Sequence, residues 1–407
     1  MLKTLEKQNS ELNNHQTQIF HFIILRAMIF TTILSLELGC SSRLDTCEGS
    51  KFESRSSFES LNVLPTSITV PESFSSQHML FDTFQTEGRL IYYGYNQSKN
   101  KIEFYNGETW LESEQLDKDI NTTISSISIS SKDSIFLTTE QPPLLFMLNG
   151  HGDVVRKWDV SKPFSSITDE YFYLSDGNNN KPIFLNKGNQ IVFNLTRLDL
   201  ETKNFKKDKG VFAVYDIKSS SWIKKPFGDV PKIYSQGEYP RDLSIPDIEL
   251  AGDFIAVAFP LSHAIYFYDL EHLHLKGKVC LDQQRTPLNY KVIKNPNAQD
   301  ESNYLITQPF FSGLHFNPET NSIDRVYFRE QPLKQPNGRL NLLTNRQIEF
   351  VRINLSDSTL SNQGYSTDSP INFLSKFTSS YNGQHYINST NSDKYLSLSQ
   401  FKFIRDE

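Results

Sequence analysis

Two clusters in this sequence bring together residue types that can hold an anion. In Asp324–Arg329 the order Arg325, Tyr327, Arg329 alternates along a predicted strand. Alternation places all three on one side, because successive strand side chains point to opposite faces. A guanidinium turned inward needs acceptors. They come from a carboxylate-bearing ligand or from the protein's own Asp and Glu, as inter-sheet salt bridges. The second cluster, Pro231–Arg241, gathers Lys232, Tyr234, Glu238, Tyr239 and Arg241 in a predicted loop. The candidate ligand-binding set is therefore Tyr234, Tyr239, Arg241, Arg325, Tyr327 and Arg329.

Other chemistry is harder to support. Hydrolysis by paired carboxylates needs two of them about 5 to 10 Å apart across a cleft. Asp153, Asp247 and Asp253 qualify only by lying near predicted strand ends. There is no GxSxG elbow, and His151, His263 and His315 stand outside any partnered motif, so each reads as a loop or core histidine. Asn149-Gly-His-Gly-Asp153 imitates a phosphate loop, yet strands flank it on both sides. A hairpin turn is the expectation. No Cys/His spacing points to zinc, and no metal or cofactor is expected.

The elements that must position these residues are strands. Phe (30) and Tyr (18) are abundant and Ser, Thr and Asn frequent, a balance that favours sheets and turns. Apolar runs ending in Asn, Asp or Gly recur at Lys101, Leu144, Val211, Ala264, Gln347 and Lys394, at intervals of about 43 to 83 residues. Strand pairs precede them at Ser126–Leu137, Pro182–Leu195, Ile248–Phe259, Leu305–Phe328 and Phe373–Ile387. The expected fold is all-β: a six-bladed β-propeller over 57–407, with seven blades as the alternative. The sixth blade lacks an outer strand, which Ser57–Val70 is expected to supply. No stretch keeps an amphipathic 3.6-residue period for three turns. Such sheets are covered on both faces, so Val257 and Phe267 are expected in the core.

The charge sum, 41 basic against 47 acidic residues, gives -6 without a basic run, which excludes a phosphate-tracking nucleic-acid binder. Ala27–Leu36 is an uncharged stretch of signal-peptide length, about 15 Å as a helix against a bilayer core of about 30 Å. Cys40 follows it behind Leu38-Gly39. The segment resembles a bacterial lipobox, although Glu37 stands where that motif carries an aliphatic residue. A secretory signal cleaved elsewhere and a membrane helix over Ile19–Leu36 are the other readings. On the first, 1–39 is a signal peptide, Cys40 the lipidated residue and the polar 40–56 a flexible tether. Three cysteines are too few for a disulfide scaffold; with Cys40 modified, Cys47 and Cys280 remain as a pair or as two thiols.

The segments KIEFYNGETW, SISISSKDSIFL, VPKIYSQGEYP, FIAVAFPLSHAIYFYDL and HFNPETNSIDRVYFREQP resemble a family of uncharacterised Bacteroidota lipoproteins, a domain of unknown function related to TolB-like six-bladed propellers. The resemblance runs from about Phe58 to Ile404. His315-Phe316-Asn317 departs from the family's Tyr-Asp at that place. It implies fold and location, not an activity. The resulting expectation is a non-enzymatic, lipid-anchored envelope module, in the outer membrane because Ser41 rather than aspartate follows the cysteine. It would bind a ligand or protein partner and touch the membrane through its lipid. An envelope hydrolase or lyase acting on glycan or peptide is the alternative.

Overall fold

A computed structural model describes the chain from Leu61 to Phe403 with gaps, and its side chains mainly within 91–160, 189–194 and 211–355. The chain divides into two units, 1–49 and 50–407, and every described element belongs to the second. The signal segment, Cys40, Cys47 and the tether lie outside the described residues. None of the described helices is long and apolar enough to cross a membrane.

The described strands form six antiparallel sheets. Strand β1 (Leu61–Pro71) comes first, and sheet 1 follows it with β2 (His78–Thr86), β3 (Arg89–Asn96), β4 (Lys101–Tyr105) and β5 (Trp110–Gln115). Sheet 2 holds β6 (Ile124–Ser131), β7 (Ser134–Thr139), β8 (Leu144–Leu148) and β9 (Val154–Asp159). Sheet 3 is built from β10 (Phe172–Tyr173), β11 (Ile183–Leu185), β12 (Gln190–Thr196), β13 (Phe212–Asp216) and β14 (Ser221–Trp222), with both β10 and β11 on β12. Sheet 4 runs through β15 (Asp247–Ala251), β16 (Phe254–Ala258), β17 (Ala264–Asp269) and β18 (Leu275–Cys280). Sheet 5 comprises β19 (Phe310–Asn317), β20 (Ser322–Phe328), β21 (Ile348–Asn354) and β22 (Leu360–Tyr365). Sheet 6 orders β23 (Thr378–Tyr381), β24 (Gln384–Ser392), β25 (Tyr395–Phe403) and, beyond them, β1. Among the described residues the first strand thus pairs with the last, from Leu61 opposite Phe403 to Pro71 opposite Tyr395.

Consecutive sheets share cores, which explains why the strands read as unbroken apolar runs. On β8, Leu144, Phe146 and Leu148 join a cluster with Tyr93, Tyr95 and Ile102 of sheet 1. The intervening Leu145 joins Phe193 and Tyr215 of sheet 3. Period two sends alternate side chains to two different cores. The same alternation continues in sheet 4, where Ala256, Ala258, Ile265 and Phe267 meet Phe311, Ile323 and Tyr327 of sheet 5. On the other face, Tyr268 contacts Phe227 at 5.4 Å. Val257 and Phe267 are buried, as the sequence pattern requires.

Two segments differ from the sequence reading. Leu305–Thr307 does not begin a strand, because it ends the helix Ala298–Thr307. Asn297 caps that helix by accepting 2.9 Å hydrogen bonds from the amides of Gln299 and Asp300, and Asp300 and Glu301 suit the positive end of its dipole. The loop 231–241 contains a 3-10 turn, Lys232–Ser235, and leads into a short helix, Arg241–Ser244, here α1; the longer Ala298–Thr307 helix is α2.

Candidate functional site

Strand direction decides which connections lie together. Asp247, Ala258, Ile265 and Val279 stand in register at one end of sheet 4. Phe310, Phe328, Ile348 and Tyr365 stand in register in sheet 5. The segments 223–246, 259–263, 281–309 and 329–347 all leave from these ends. This is where the two sequence clusters meet.

Arg325 is the centre of the arrangement. It is wholly buried on the β20 face that also carries Ile323 and Tyr327, and it reaches into sheet 4. One terminal nitrogen donates to Ser262 O and the other to Phe259 O, each at 3.1 Å, so the guanidinium closes the turn between β16 and β17. Its plane lies over Phe311 at 4.5 Å. Burial pulls its pKa down to about 10 against the opposing pull of Asp247 and Tyr234. The acceptors are mainly backbone carbonyls of the protein itself.

The tyrosines lock the neighbouring segments. Tyr234, fully buried, donates to Leu243 O at 2.7 Å and accepts from Leu261 N at 3.0 Å, tying the 3-10 turn to α1 and to the β16–β17 turn. Burial pushes its phenol well above the usual tyrosine range. Tyr239 meets Tyr234 edge to face at 5.8 Å and Tyr304 of α2 at 6.3 Å. Tyr327 donates to Pro287 O at 2.6 Å, while His263 Nε2 sits 2.7 Å from the preceding carbonyl, Thr286 O. Two adjacent carbonyls are held by two side chains, one from β20 and one from the β16–β17 turn.

The structure brings Tyr234, Tyr239, Arg325 and Tyr327 together as buried neighbours of one region. Arg329 lies apart at the surface, 53% exposed, paired with the buried carboxylate of Glu349. Arg241 opens α1, and its side chain lies outside the described residues. Among the described residues no group of three or more His, Cys, Asp or Glu side chains is placed to hold a metal. Asp153 accepts from Asn149 Nδ2 at 3.1 Å within the β8–β9 turn, so the Asn-Gly-His-Gly-Asp stretch is a hairpin turn.

The residue that sequence reasoning missed is Arg346. It is buried just before β21, lies over Phe310 at 5.0 Å and Phe328 at 5.6 Å, and donates to Leu305 O, Gln308 O and Arg329 O. It therefore caps the C-terminal end of α2 and fixes both ends of the β20–β21 connection. Burial pulls its pKa down to about 9. Nothing in its neighbours, Leu342-Leu-Thr-Asn-Arg346, distinguishes it from a surface arginine.

Between these fixed ends projects a hairpin, 329–341. Gly338 N donates to Gln335 O at 2.9 Å and Gln335 N to Arg339 O at 2.8 Å, with Gly338 at φ +83°. This is a type I turn closed by a left-handed residue, and Pro336 and Gly338 occupy the two positions that favour it. Asn341 closes the base, donating from Nδ2 to Pro332 O at 2.6 Å and from N to Leu333 O at 2.8 Å. The tip exposes Lys334, Arg339 and Leu340, the last 57% accessible.

No family model matches this chain, and neither does any curated protein. Among solved structures it is similar to a member of the DUF4221 family from Bacteroides vulgatus ATCC 8482, with 13% identity, 86% of this chain and 99% of that one covered, and a TM-score of 0.61. A protein of Bacteroides fragilis NCTC 9343 described as exported matches at 10% identity over 86% and 99% of the two chains, with a TM-score of 0.49. A streptogramin B lyase matches at 12% identity over 84% and 98%, with a TM-score of 0.37. The DUF4221 member shares the fold; identity this low speaks to nothing beyond it.

Proposed function

We propose that this chain is a six-bladed β-propeller exported to the cell envelope, anchored through a lipid on Cys40 in the outer membrane, and that it binds a ligand or protein partner rather than catalysing a reaction. Support for the ring comes from the pairing of β1 with β25, which joins sheet 6 to sheet 1 through only the residues between Pro71 and His78. That connection spans at most about 25 Å. A disulfide at buried Cys280 suits an oxidising compartment.

The observation that carries the binding reading is the braced hairpin 329–341. Its base is fixed by Arg346 and Asn341, and its tip is exposed. A stiff projecting element loses little conformational entropy on meeting a partner. Tyr234, Tyr239, Arg325 and Tyr327 then serve as the frame beneath the contact surface, and Arg329 at the hairpin's root reaches the partner.

Two measurements test this. Intact mass of the membrane-fraction protein should show loss of residues 1–39 with added acyl mass; a full-length unmodified chain rejects the anchor. Thermal-shift screening against glycans, peptides and metabolites should find a stabilising compound. Its effect should vanish in a Lys334→Glu/Arg339→Glu variant whose own Tm is unchanged. A shift that survives this change rejects the hairpin as the contact.

A further inference from the structure

At the other end of sheet 4, remote in register from the β16–β17 turn, the connection between β17 and β18 reads Asp269-Leu-Glu-His-Leu-His274. The turn is tightly specified. Asp269 O accepts from Leu273 N at 3.0 Å, and Asp269 N donates to His274 O at 3.1 Å. The Asp269 carboxylate accepts from the amides of both His272 and His274. These two amides hold the carboxylate in place beside the turn.

Leu273 has φ +59°, a left-handed conformation that normally goes to Gly or Asn and is strained for a leucine. Burial of its side chain to 5% exposure offsets that strain. The consequence is chemical. With Leu273 turned inward, the two flanking imidazoles lie on the outside with ring centroids 5.8 Å apart and planes at 29°. His272 is 60% exposed, and Asp269 Oδ1 lies 3.5 Å from its Nδ1. A carboxylate on the Nδ1 side leaves the Nε2 side of the ring open to a metal ion, the arrangement of many histidine–metal sites.

We propose that His272 and His274 form a chelating site for a divalent transition-metal ion of the Zn2+, Ni2+ or Cu2+ class. Paired imidazoles suit these ions and not Ca2+ or Mg2+, which take oxygen donors. Glu271, whose carboxylate is 3.9 Å from His272 Nδ1 and 85% exposed, adds negative charge at the rim. Lys276 neutralises Asp269 on its far side at 3.6 Å, so Asp269 acts on the turn and on His272 rather than as a ligand. Because no three such donors converge among the described residues, water completes the shell. The site is exchangeable, not a structural centre of four protein ligands. It stands independently of the binding surface proposed above.

The test uses the full chain in detergent. Titration calorimetry with Ni2+ should show a site that weakens by at least about tenfold in His272→Ala and in His274→Ala, and by less in Glu271→Gln. His151→Ala, which removes another exposed histidine, should leave it unchanged. The electron paramagnetic resonance spectrum of the Cu2+-loaded wild type should carry coupling to two imidazole nitrogens. This reading needs no variant to fold. Undiminished affinity in the His272→Ala/His274→Ala double variant, or a Cu2+ spectrum without the two-nitrogen pattern, overturns the proposal.

Discussion

The seam between sheets 1 and 2 and the seam between sheets 4 and 5 solve one packing problem in two ways. The first is filled with aliphatic and aromatic side chains such as Ile102, Ile127, Leu137 and Leu148, and a long hydrogen bond from Tyr93 OH to Ile127 O at 3.3 Å crosses it. The second is drawn together by a buried cation whose two terminal nitrogens donate to carbonyls of the β16–β17 turn. Contact area tolerates sliding, whereas a guanidinium on two carbonyls fixes one geometry. The fixed seam also carries the long connections, α2 and the projecting hairpin.

The sharpest way to break this contrast is Arg325→Ala. It strips the Arg325 donor from Ser262 O, takes one of two donors from Phe259 O, which keeps Ser262 N, and opens a void beside Phe311. We expect a loss of about 4 kcal/mol, from about 1–3 kcal/mol for the acceptor left behind plus lost packing. Thermal or urea unfolding reads it. Leu137→Ala in the first seam, at a position with no exposure, should cost about 3 kcal/mol. Arg325→Met separates the two terms, because it keeps volume and loses only the hydrogen bonds. If it matches wild type, the second seam is held by area as well.

A subtler probe of the first seam is Gly152→Ala. Gly152 sits at φ +80° between β8 and β9, and its carbonyl accepts from Asp117 N of the sheet 1 to sheet 2 connection at 3.2 Å. A Cβ there would collide with Gln115 O as well as demand a left-handed alanine. About 2 kcal/mol should be lost. A neutral effect would mean this end of the seam can shift apart.

The sequence carried the two seams unequally. Period-two apolar runs such as Leu144–Leu148 already required a sheet covered on both faces, and the leftover strand at Ser57–Val70 already called for a place beside the last one, where β1 is found. Spacing also placed Arg325 and Tyr327 on a single strand face. It did not say what they would meet, because Ser262 O and Pro287 O belong to turns 63 and 40 residues away. Arg346 was illegible for the same reason: its role depends on the end of α2, whose short run has no strong amphipathic pattern. Only Asn297, followed by Ala-Gln-Asp-Glu, marks the start of that helix.

The fixed seam should also show in alkaline solution. Burial, and after it the charge of Glu349, pushes the Tyr327 phenol up to about 12. Its folded value lies above the unfolded one of about 10, so its contribution is complete below pH 10 and disappears as pH rises towards 12. Tyr327→Phe should remove this component of the alkaline loss and cost about 1 kcal/mol at neutral pH through the lost bond to Pro287 O. An unaltered alkaline profile would assign the loss to other tyrosines.

The smallest effect on stability is expected where the effect on binding is largest. Leu340 at the hairpin tip is 57% exposed, and neither it nor Lys334 or Arg339 contributes to the Arg346 clamp. Leu340→Ser should therefore change stability by less than about 0.5 kcal/mol. A larger loss would mean that the tip folds back on the protein. If the tip is a contact surface, a stabilising compound found by thermal shift should lose most of its effect in the same variant, because an exposed leucine on a rigid turn delivers its apolar area only when a partner covers it.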